Sequence, residues 1–181
     1  MEKEDSDYMA MLNNSTINPG PKQEQTPSLA TTSQLNTATP NETLTSAFQA
    51  IMNVSNDLVL VSESDEPFEW ISADWAQDKL PVTAQEIIQL GWVDPSVDSP
   101  STFKTKTLNQ FFDPLVDEKN DPYNQAKGFQ KMYKLFKDAF SDAQVYFIGE
   151  GSINVFVLGI INATSGGKRA LAGLRSLLVQ T

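Results

Sequence analysis

The chain has 181 residues, 40% of them hydrophobic and 10 of them phenylalanine, enough apolar material for the core of one domain of ordinary size. Its 23 acidic residues outnumber 13 basic ones, a formal charge of −10, which argues against binding nucleic acid or anionic membrane through bulk electrostatics and favours a basic partner. Histidine and cysteine are both absent, which removes the commonest general base, the commonest metal ligand, the thiol nucleophile and any disulfide. Carboxylate-only chemistry, as in glycosidases or oxygen-ligated magnesium sites, survives in principle, so enzyme activity is disfavoured.

The start MEKEDSDYMAML is acidic and lacks the positive-then-apolar order of a signal peptide. The apolar run Val155 to Ile161 is too short to span a bilayer. A soluble, cytoplasmic protein without its own cofactor is expected. Residues 1 to about 42 are rich in Asn, Gln, Thr, Ser and Pro and show neither a helical nor a strand period, which predicts a disordered polar tail. The folded domain is expected over 43–181, opening near Asn41 with a helix to about Val54 that lays Leu44, Phe48, Ile51 and Met52 on one face.

After the apolar run Leu58 to Val61 comes SESDEPFEW, Ser62 to Trp70, inside a window from 57 to 78 that contains no basic residue. Asp57, Glu63, Asp65, Glu66, Glu69, Asp74 and Asp78 have no local cation, and charge this dense is tolerated when solvated or when a positive partner meets it. An acidic solvated turn between helix and strand is the plain alternative to a binding surface. Pro67 to Ser72 then alternates as a strand would. Thr83 and Glu86 have the spacing of a capping box for a short helix through Gln89, ended by Gly91. Phe103 to Thr107 reads as an edge strand, and Thr107 can cap the helix LNQFF, which Pro114 stops.

Asp121-Pro122 offers an N-cap acceptor followed by an N1 proline for the longest helix. In it Ala126, Phe129, Tyr133, Phe136 and Phe140 form an apolar stripe, and Lys127, Lys131, Lys134 and Lys137 lie outside. Three strands follow at Ala143 to Gly149, Ile153 to Ile161 and Leu171 to Val179. The middle one is apolar on both alternating sets, so both its faces must be covered. Helices before and among the strands supply the layers of an α/β/α sandwich whose sheet is largely antiparallel at its C-terminal end.

Two motifs fail on inspection. Ser165 to Arg169 (SGGKR) lacks the spacing and the Ser/Thr of a phosphate loop, and reads as a hairpin loop. Asp117, Lys119 and Asp121 fall at positions 1, 3 and 5 of a calcium loop, but Pro122 and Gly128 stand where glycine and a bidentate glutamate are required.

From about Asn41 to Thr181 the chain resembles the nuclease A inhibitor (NuiA-like) family, small acidic proteins that block a DNA/RNA-nonspecific ββα-metal endonuclease. SESDEPFEW is similar to that family's SES-x-x-PFE turn, FFDPL to its FF segment, FQKMYKLFKDAF to its FQKLL helix and AQVYFIGEGSINVFVLG to its PQVYRLGE-x-x-x-DVYVIG hairpin. The final threonine is shared as well. The resemblance implies a three-layer α/β/α sandwich like that of pathogenesis-related-1 (PR-1-like) proteins. It also implies a 1:1 complex with the nuclease by an inhibitor that is monomeric when free. Glu63 matches the family's functional glutamate, which would pair with basic residues of the nuclease cleft. Thr181 matches the terminal threonine, which is offered to the magnesium held by the nuclease.

A rigidly held carboxylate and hydroxyl can stand in for phosphate oxygens at such a metal. One departure is the family's interface tryptophan, absent from the loop DPLVDEKNDPY. Asp117 falls nearest to its place and Tyr123 is the close aromatic. The candidate contacts are therefore Ser62, Glu63, Ser64 and Asp65 in the turn, Asp117 and Tyr123 in the loop, and Gln180 and Thr181 at the end. The competing reading is an acidic protein-interaction domain of the same fold that meets another basic partner.

Overall fold

A computed structural model describes residues 35–93, 102–162 and 167–180. The expected disorder of residues 1–34, the first two residues of the SGGKR loop and Thr181 lie outside the described residues. In chain order the elements are α1 (Glu42–Ser55), β1 (Val59–Leu60), β2 (Glu66–Pro67), β3 (Glu69–Asp74), α2 (Ala84–Gln89), β4 (Phe103–Thr107), α3 (Leu108–Phe112), α4 (Ala126–Ala139), β5 (Ala143–Ile148), β6 (Ser152–Ile161) and β7 (Ala170–Val179).

Local chemistry sets the helix starts. Asn41 Oδ1 accepts from Leu44 N at 2.8 Å and begins α1. Thr83 with Glu86, and Thr107 with Gln110, form complete capping boxes for α2 and α3. The Val82 N–H bond to Glu86 leads the contacts that hold this carboxyl below its usual range. For α4 the expectation needs correction. Asp121 and Pro122 do not occupy N-cap and N1, because Asn124 sits at φ 56 and breaks the helical path before Ala126. The Asp121 carboxylate instead reaches forward, accepting from Gln125 N at 2.8 Å and Ala126 N at 2.9 Å. The expected stripe holds, with Ala126, Phe129, Phe136 and Phe140 buried, and Met132 is fully buried beside the partly buried Tyr133.

The main sheet has five strands in the order β3-β7-β6-β5-β4, with every neighbouring pair antiparallel. The apolar pattern of β6 acts as its two sets require. Val155 and Val157 join the core beneath α1, α3 and α4, while Phe156, Leu158 and Ile160 face the opposite core. That second core is closed by Trp75, Leu80, Ile87, Trp92 and Val93. Among the described residues its cover is the six-residue α2 and the irregular chain around it, with Trp75 and Trp92 buried there. Within it the Tyr146 hydroxyl donates to Pro81 O at 2.8 Å, and burial pushes its phenol pKa up.

The predicted strand from Pro67 to Ser72 is divided at buried Phe68, so that β2 pairs with β1 and β3 joins the main sheet. Phe48, expected on the buried face of α1, is 41% exposed and meets Trp70 edge-on at 5.6 Å. The domain also reaches back before residue 43. Leu35 is buried, Asn36 makes a parallel bridge to Ser72, Thr37 N donates to Ser72 O at 2.8 Å, and Thr39 binds Asp74 through its backbone N–H and its hydroxyl. One leucine and a few backbone bonds give no periodicity, which is why composition alone assigns this stretch to the tail.

Candidate functional site

The acidic turn is the tip of the β1–β2 hairpin, registered Val59 to Pro67 and Leu60 to Glu66. Asp65 closes it from the left-handed region at φ 47, where aspartate is better tolerated than most residues, and its Oδ1 accepts from Ser62 N at 3.2 Å. Ser64 N donates to Ser62 Oγ at 3.4 Å. Glu63, Ser64 and Asp65 are exposed, and Ser62 is half-buried.

This hairpin is fastened along the end of β7. The hydroxyl of buried Ser176 donates to Glu66 O at 3.2 Å. Closer to the tip the fastening is reciprocal: Glu63 N donates to Val179 O, and Val179 N donates to Ser62 Oγ, both at 3.3 Å. Gln180 N then donates to Gly151 O at 2.7 Å, which ties the chain end to the β5–β6 turn. That turn requires glycine: Gly149 and Gly151 take φ of 120 and 69, and a Cβ on Gly149 would come within 2.6 Å of Ser152 O.

Ser62, Glu63, Ser64, Asp65 and Gln180 are thus gathered at one end of the sheet, although more than a hundred positions separate Ser62 from Val179. At the hairpin's base, Gln125 Oε1 accepts from Val59 N at 2.7 Å and joins the loop preceding α4 to β1. Within that loop Asp117 serves its own turn, accepting from Lys119 N at 3.0 Å. Tyr123 is 54% exposed. Trp70, Trp75 and Trp92 are all buried.

The acidic window does not act as one patch. Tertiary structure supplies the cations the local sequence lacks: Arg175 Nε lies 3.7 Å from Glu69 Oε2, and Lys168 Nζ 3.3 Å from Asp74 Oδ2. Thr39, with its N–H leading, and Lys168 together lower the pKa of Asp74. No group of three or more acidic side chains among the described residues has metal-holding geometry. Sequence reasoning missed Val179, Gly151 and Gln125. The first two act through backbone atoms, which carry no residue signature, and the third is a glutamine whose partner lies 66 positions away.

A family model described as nuclease A inhibitor-like protein matches residues 45–181, from within α1 through the acidic turn to the last residue. The chain belongs to the nuclease A inhibitor-like family. No curated protein matches it. For a nuclease A inhibitor-like chain the family suggests a nuclease as partner and a binding role in place of catalysis. No helix among the described residues of this inhibitor-like chain is long and apolar enough to cross a membrane.

Proposed function

We propose that the chain inhibits a DNA/RNA-nonspecific ββα-metal endonuclease by seating the acidic turn and the C-terminal residues in its active-site cleft. Glu63 meets basic residues that otherwise hold substrate phosphates. Thr181 offers an oxygen to the magnesium of the enzyme, and Ser62, Ser64, Asp65, Asp117, Tyr123 and Gln180 complete the contact. The observation that carries this reading is the reciprocal pair of hydrogen bonds joining Ser62 and Glu63 to Val179. It fastens the acidic turn to the end of β7, and contact groups held in place before binding lose less entropy than loose ones.

In the same reading the two covered faces of the sheet form a three-layer sandwich of the PR-1-like kind, carried by a cytoplasmic monomer that binds the nuclease 1:1. Titration into a plasmid digest by a ββα-metal nuclease tests it. Activity falling to zero near one equivalent supports inhibition, and unchanged digestion across a large molar excess rejects it. Binding to other basic proteins without inhibition would favour an acidic interaction domain instead.

A further inference from the structure

A second surface lies on the same face of the sheet as the acidic hairpin, across the strands from it. Residues directly opposite in an antiparallel sheet share a face. One such row runs Lys104, Phe147, Val155, Ser176, and Ser176 holds the acidic hairpin through Glu66 O. At ~4.8 Å per strand the row places Lys104 about 15 Å from the strand beneath the hairpin.

At the lysine end is a groove of about 510 Å³, lined by Thr102, Lys104, Lys106, Phe147, Leu178 and Gln180, among others. Its floor is apolar and half-buried, with Ile153 and Leu178 paired across β6 and β7. Its rim is cationic: Lys104 and Lys106 are exposed, and Lys106 Nζ stands 5.2 Å from the centre of the Phe147 ring. Gln180 lines this groove and also sits one residue beyond the bond that fastens Glu63 to Val179.

We infer that this groove is a second contact of the inhibitory face, taking an acidic side chain carried on an apolar surface segment of the bound nuclease. The inference rests on the proposed inhibition of a nuclease. Charge complementarity names the occupant. A basic groove on a chain of net charge −10 contributes nothing to long-range attraction of a basic partner. Its positive charge acts at contact range, on a carboxylate. The two charged ends of the row are separated by more than the Debye length of ~8 Å at physiological salt, so neither cancels the other. An inhibitor negative on one side of its chain end and positive on the other docks in one orientation, because reversal sets like charges against each other.

Two measurements on the full chain test this. In plasmid digestion by a ββα-metal nuclease, K104E/K106E raises the inhibitor concentration needed for half-inhibition on the order of tenfold or more, with an unchanged melting temperature. Carbodiimide cross-linking of the wild-type complex, mapped by mass spectrometry, joins Lys104 or Lys106 to an aspartate or glutamate of the nuclease, a readout that requires no variant to fold. Wild-type potency in the double variant overturns the inference. So do cross-links from these lysines that reach only a second copy of this chain. If Glu63→Lys abolishes inhibition while K104E/K106E does not, the inhibitory reading stands and the groove falls alone. A wild-type chain that leaves the nuclease active removes both.

Discussion

The two ends of β7 hold acidic residues in opposite ways. At the Val179 end the backbone is fastened and the Glu63 side chain is exposed. At the Ala170 end the Asp74 carboxylate itself is consumed, binding the backbone and hydroxyl of Thr39 and pairing with Lys168. The strand has ten residues, so at ~3.3 Å each these ends lie about 30 Å apart. At the Ala170 end the carboxylate is the part that the fold holds, and at the Val179 end the hydrogen bond from the Glu63 backbone fixes where that residue sits on the surface. Both residues carry a carboxylate, and what differs is the end of β7 against which each lies.

Variants at one end should therefore alter inhibition with little effect on stability, and variants at the other should do the reverse. The greatest effect is expected at the terminus. A peptide appended after Thr181, or removal of Gln180 and Thr181, should lower inhibition by orders of magnitude while thermal unfolding changes by about 1 kcal/mol or less, the value of the Gln180–Gly151 bond. A tagged protein with full potency would remove the chain end from the site. Next comes Glu63→Lys, which places a cation against a basic cleft; inhibition assays should show a loss on the order of a hundredfold with an unshifted melting curve.

At the far end, deletion of residues 1–40 should destabilise the domain by about 2–4 kcal/mol in denaturant titration, through loss of buried Leu35 and of the bonds to Ser72 and Asp74. Deletion of residues 1–33 retains those contacts and should leave stability near wild type. Equal stability of the two truncations would show that the 35–39 contacts contribute little. Ser62→Ala sharpens the comparison from the near end: it removes the acceptor for Val179 N and Ser64 N, costing about 1 kcal/mol and roughly tenfold in inhibition as the turn loosens.

The smallest effect on inhibition belongs to Asp74→Asn, about twofold or less, since the site it alters is remote from the turn. Its signature lies in acid stability. The folded-state pKa of Asp74 is lowered, so the stabilisation it brings is present above the unfolded value of about 3.9 and is withdrawn as pH falls through the lower folded value. Unfolding titrations should show a shallower acid dependence in the variant, and an identical slope would mean that Thr39 and Lys168 do not hold this carboxylate in solution.

Much of the local structure was legible because its causes are local. The two capping boxes each lie within four residues, and the two-sided apolar pattern of β6 needs no partner to be seen. The failures share a physical origin. Asp121 reaches forward because Asn124 adopts a left-handed conformation that the local pattern does not signal. The cations for Glu69 and Asp74 come from β7 and the segment before it, about a hundred positions downstream. At the site, SESDEPFEW announces its charge, whereas its attachment to Val179 depends on a strand register that no short motif encodes.

The contacts of Leu35 to Thr39 matter beyond their share of the folding free energy. They lie along β3, one of the two outer strands of the sheet, where an open row of backbone donors and acceptors would invite another chain to pair. The other outer strand, β4, is guarded in a different way, by the lysines of its FKTKT sequence. Proteolytic nicking near residue 40 would unmask an apolar edge containing Trp70 and Ile71 and leave most of the core intact. Such a clipped protein would keep its helical signal and come out of solution, so turbidity on storage would report the loss of this strap before any spectroscopic sign of unfolding.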